Sequence, residues 1–77
     1  MLSVEFTVEP FVEGEPGPHV RAAVEAAERS GLAVDMGPFG TLVTGDDEAV
    51  LAVVDDVVRA AVGAGASRVS LQVVRPA

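Results

Sequence analysis

Gly37-Pro-Phe-Gly-Thr-Leu-Val-Thr-Gly45 is the stretch on which the fold turns. Three glycines and a proline frame Thr41 to Thr44, a short segment of strong β-propensity. The pattern predicts a tight turn, then a strand, then a helix capped by Asp46 or Asp47. A glycine-rich stretch ahead of a helix also raises a nucleotide reading. The phosphate-cradling loop needs Gly-Lys followed by Ser or Thr, and the chain has no lysine. The dinucleotide fingerprint sets its glycines between strand and helix, whereas these bracket a strand. Both nucleotide readings are excluded.

Just before the turn, Leu32, Val34 and Met36 alternate with Ala33 and Asp35, which predicts a strand running directly into the next one, Phe39 to Thr44. Further back, His19 to Ser30 places Val20, Ala23, Val24 and Ala27 on one helical stripe, with Pro18 at the helix start and Gly31 at its stop. Glu25 and Arg29 are spaced for a surface pair. Phe11 to Pro18 is a Gly/Pro-rich loop. Ahead of it, Leu2, Val4, Phe6 and Val8 alternate with Ser3, Glu5, Thr7 and Glu9, a half-buried strand ended by Pro10.

Beyond Gly45, Val50, Leu51, Val54, Val58, Ala61 and Val62 predict a helix with a broad core face and with Asp55, Asp56 and Arg59 outward. Gly63 and Gly65 end it. Val69, Leu71 and Val73 alternate with Ser70 and Gln72 in a last strand. The order β-α-β-β-α-β predicts an α+β, ferredoxin-like sandwich over residues 1–77. It is a four-stranded antiparallel sheet with both helices on one face and the first and third strands at its centre.

Composition narrows the partners. The net charge is −7, and no lysine supplements the five arginines, so no basic face can be assembled for nucleic acid or an anionic membrane. The start lacks a secretory signal and no apolar run reaches about 18 residues, so a cytoplasmic location is expected. With no cysteine there is no disulfide or thiolate metal site, and so small a chain commonly gains stability by association instead. The lone His19 lacks metal-binding companions, and no nucleophile–base spacing suggests catalysis. Glu5 and Glu9 stand about 13 Å apart along their strand, too far for a glycosidase pair.

If the helices cover Val4, Phe6, Val34, Leu71 and Val73, the other sheet face is left open. That face is expected to carry Glu5, Thr7, Glu9, Asp35, Thr41, Val43, Ser70 and Gln72, with Thr7 and Thr41 on neighbouring central strands. It can bind a polar heterocycle, face solvent, or meet a second subunit.

Two motifs in this order carry a resemblance: Val4-Glu-Phe-Thr-Val-Glu-Pro-Phe11, and Gly37 to Gly45 followed by Asp46-Asp47-Glu48-Ala-Val50. Together they resemble the small thiamine-binding protein family, over nearly the whole span from Val4 to Val73. The resemblance implies a homo-dimer or homo-tetramer that binds thiamine or its hydroxymethylpyrimidine moiety without catalysis and without a cofactor. It also implies that the hydroxyls of Thr7 and Thr41 are the first ligand contacts. Gly40, Phe39, Glu5 and Asp35 complete the expected set, the carboxylates opposite the thiazolium cation and Phe39 or Phe11 stacked on a ring. The alternative from another class is a structural or regulatory self-association module with no small ligand.

Overall fold

The computed structural model describes residues 1–10, 14, 17–37 and 40–76. The loop expected at residues 11–18 and the ring stacking expected of Phe11 and Phe39 therefore fall wholly or largely outside the described residues. The elements run β1 (Leu2–Glu9), α1 (Pro18–Arg29), β2 (Ala33–Gly37), β3 (Gly40–Gly45), α2 (Asp47–Gly63) and β4 (Arg68–Val74). The four strands form one antiparallel sheet in the order β2-β3-β1-β4, the ferredoxin-like arrangement with β1 and β3 central.

Each helix begins and ends where the local chemistry requires. Pro18 occupies the first turn of α1, and the carbonyl of Gly17 accepts from Val20 N and Arg21 N, both at 3.1 Å. Gly31 follows with φ of 77°, a left-handed conformation that suits glycine. Asp46 is the N-cap of α2 by position, but its side chain makes no capping hydrogen bond. The neighbouring Asp47 pairs instead with the Met1 ammonium and the Arg75 guanidinium, which in that order hold its carboxyl below the usual range.

The core lies between the sheet and the helices. Leu2, Val4, Phe6 and Val8 from β1 and Val43 from β3 meet Ala23, Ala26 and Ala27 from α1 and Val50, Val53, Val57 and Ala61 from α2. Alanines on the inner face of α1 let the two helices pack closely against each other. The inner face of α2 is rotated from the expected one: Val53 and Val57 are buried, whereas Leu51 and Val62 are 49% and 59% exposed. Valines occupy so much of this helix that an apolar stripe can be drawn on more than one side, and only packing selects between them. The i,i+4 pair that forms is Asp55–Arg59 at 3.0 Å; Glu25 and Arg29 are not paired among the described residues. No helix among them is long and apolar enough to cross a membrane.

Candidate functional site

Strand pairing assigns every sheet residue to a face, because directly opposed residues project to the same side. Val4 opposes Val43, and Phe6 opposes Thr41, so β3 turns Thr41 and Val43 toward the helices. Both are buried there, Thr41 to 7% exposure. This corrects the expected placement of Thr41 and Val43 on the open face. The residues β3 presents to that face are Gly40, Leu42 and Thr44.

Two rows cross the open face. In one, Asp35 of β2, Leu42 of β3, Glu5 of β1 and Gln72 of β4 lie side by side. In the next, Gly37 and Gly40 are paired, and Thr7 is paired with Ser70. Gly40 sits beside Thr7: a Cβ on it would come within 3.3 Å of Glu5 Cγ and 3.4 Å of Thr7 Cγ2. Having no side chain, Gly40 lets the carboxylate-bearing Glu5 and the hydroxyl-bearing Thr7 close in on it. Alongside, a shallow hollow of about 170 Å³ lies between β1 and β4, lined by Glu5, Phe6, Thr7, Ser70, Leu71 and Gln72.

Of the expected site residues, the structure thus gathers Glu5, Thr7, Gly40 and Asp35 on one face and sets Thr41 behind the sheet. Phe39 lies outside the described residues. Ser70 and Gln72 lie on the open face as expected, beside Thr7 and Glu5, and Leu42 joins them through register. Hydroxyl, carboxamide and carboxylate groups together offer donors and acceptors to a flat polar heterocycle. Among the described residues no group of His, Asp or Glu is clustered to hold a metal ion.

Comparison with known proteins agrees with the fold. The family model for thiamine-binding protein matches residues 4–74. The chain belongs to the thiamine-binding protein family. A Bacillus cereus domain of unknown function shares 27% identity at a TM-score of 0.74, covering 97% of this chain and 75% of that one. A Thermotoga maritima protein provisionally named for thiamine biosynthesis or salvage shares 28% identity at a TM-score of 0.70, covering 95% and 78%. A hypothetical protein of Methanocaldococcus jannaschii, 20% identical with a TM-score of 0.69 over 94% of this chain and 74% of that one, shares the fold. No curated protein sequence matches the chain.

The reversed orientation of Thr41 gives a sharp test. Thr41→Val keeps the volume at a buried position whose hydroxyl has no hydrogen-bond partner among the described residues. Stability is expected to change by less than about 1 kcal/mol, and affinity for a ligand on the open face by less than roughly twofold. Thermal melts and calorimetric titration check both. A large loss of affinity in a fully folded variant would return Thr41 to the site.

Proposed function

We propose that this chain is a non-enzymatic binding protein for thiamine or its hydroxymethylpyrimidine moiety, holding the ligand on the open sheet face near a subunit interface. The observation that carries this reading is the gathering of Glu5, Thr7, Ser70 and Gln72 around the hollow on the open face, with Gly40 close beside Glu5 and Thr7. An aminopyrimidine has ring nitrogens that accept from the hydroxyls of Thr7 and Ser70 and an exocyclic amine that donates to Glu5. Family membership and the name of the Thermotoga neighbour support a thiamine-related ligand.

The hollow holds about 170 Å³, less than the roughly 300 Å³ at which pockets for small ligands begin. A single open face therefore covers one side of a two-ring ligand, and a second subunit would cover the other. Exposed apolar residues favour association: Leu42 and Val74 on the open face are 37% and 47% exposed, and Leu51 and Val62 on α2 are 49% and 59% exposed. The same residues support the rival reading of a self-association module without a ligand.

Calorimetric titration with thiamine and hydroxymethylpyrimidine, paired with light scattering, separates the two. Binding of either ligand is expected to raise the melting temperature, since a ligand at 100 times its Kd adds about 2.7 kcal/mol to native stability. An oligomer that gives neither heat nor thermal shift at millimolar ligand would leave the self-association reading in its place.

A further inference from the structure

The arginines locate all the positive side-chain charge that the chain is certain to carry, and almost none of it reaches the open face. Arg21 and Arg29 lie on α1, Arg59 is held by Asp55 on α2, and Arg75 is held by Asp47 beyond the end of β4. Only Arg68 is placed on the open face, opposite Glu9 at the far end of β1, and its guanidinium stands 3.8 Å from that carboxylate. Around Gly40 the charge has the other sign. Glu5 lies close against Gly40 through its Cγ, and Asp35 lies in the same cross-strand row as Glu5 with only Leu42 between them. Neither carboxylate has a cationic partner among the described residues.

We infer that the open face reads the charge of its ligand: it takes the unphosphorylated thiazolium cation and turns away the phosphate esters, with Glu5 as the residue that discriminates. This rests on the binding function proposed above and goes beyond it by naming the form of the ligand. Two adjacent rows divide the work. The row of Gly40, Thr7 and Ser70 is small and hydroxylic and suits the neutral pyrimidine. The row of Asp35, Leu42, Glu5 and Gln72 offers two carboxylates flanking an apolar side chain, a surface for a flat cation with a hydrophobic ring. A diphosphate lying over those carboxylates would meet like charge with no basic group to offset it, on a protein of net charge −7.

The test is calorimetric titration of the wild-type protein and Glu5→Gln with thiamine, thiamine diphosphate and hydroxymethylpyrimidine, at low and high salt. Glu5 is exposed, so the variant keeps the fold, and Asp35→Asn, also exposed, serves as a second variant. Wild-type protein is expected to bind thiamine at least about tenfold more tightly than the diphosphate. Glu5→Gln should weaken thiamine roughly five- to tenfold, the effect of one charge contact at a wet surface. Hydroxymethylpyrimidine binding should change by less than about twofold, because the glutamine carboxamide oxygen still accepts from its amine, and thiamine affinity alone should fall with added salt.

Equal or tighter binding of the diphosphate overturns the inference. So does a Glu5→Gln loss that is the same for thiamine and the neutral pyrimidine, which would make Glu5 a shaping residue. Wild-type protein that binds the pyrimidine but not thiamine defeats charge reading and leaves the binding function standing. Failure to bind either ligand removes both.

Discussion

Phe6→Ala is expected to cost about 3–5 kcal/mol of folding stability, enough to unfold much of the population at physiological temperature. Phe6 is 2% exposed at the centre of β1, with Thr41 on one side and Leu71 on the other, facing the helices. The other members of the buried core are Val, Ala and Leu, so no neighbouring side chain is large enough to fill the space a ring would leave. A domain of this length holds a total stability of roughly 4–11 kcal/mol, and the loss takes a large share of it. The melting temperature should fall by roughly 15–30 °C, at several degrees per kcal/mol for a chain of this size. Phe6→Leu, which keeps most of the volume, should cost less than about 1.5 kcal/mol. Chemical denaturation followed by circular dichroism measures both. An alanine variant that melts within a few degrees of wild type would mean the core does not depend on this ring.

Gly40→Val is expected to leave the fold intact and to lower thiamine affinity by about tenfold to a hundredfold. The backbone at Gly40 has no positive φ, so conformation does not demand a glycine there. Valine is a favourable strand residue and regains some of the entropy that glycine loses on folding. The new Cβ would lie 3.2 Å from the Phe6 carbonyl oxygen, a tight contact that small shifts of Glu5 and Thr7 only partly relieve. These opposing effects should keep the stability change within about 1 kcal/mol. The two methyl groups, however, would project onto the open face where the ligand is proposed to lie. A change of shape costs binding steeply where hydrogen-bond donors and acceptors can no longer reach their partners, at about 1.4 kcal/mol per tenfold. Gly40→Ala should fall between wild type and Gly40→Val. Undiminished binding in a folded valine variant would show that the ligand sits elsewhere. Gly45 makes an instructive contrast, since a Cβ there would come within 2.9 Å of Leu32 Cδ2 on the covered face and would disturb packing instead.

Much of the fold was legible before any coordinates. The alternation in β1 is strict, apolar against polar for eight residues, and its outcome is a strand whose even-numbered positions are buried and whose odd-numbered positions face the open side. The helices were legible from spacing, Pro18 and the glycines that follow them. For α2 the existence of the helix was clear but its inner face was not. Valine and leucine occur at so many positions that the helix could have been buried along either of two adjacent stripes, and Leu51 and Val62 proved to be on the exposed one. The candidate site divides in the same way. Glu5, Thr7 and Asp35 lie in strands with one clearly apolar side, so their open side could be read directly.

The sequence by itself determined the order of elements, the glycine-framed central strand and the acidity of whatever surface it would present. Only the tertiary structure decided which way that strand faces. Thr41 and Val43 alternate with Leu42 and Thr44, so each side of β3 carries one hydroxyl and one apolar residue. Local periodicity is symmetric under exchange of those sides, and a register shift of one residue would reverse them all. The pairing of Phe6 with Thr41 and Val4 with Val43 breaks the symmetry, because β1 must bury its own apolar face and carries its neighbour with it. Thr41 is thereby placed in the core, and Gly40 comes to lie on the open face beside Thr7 and Glu5.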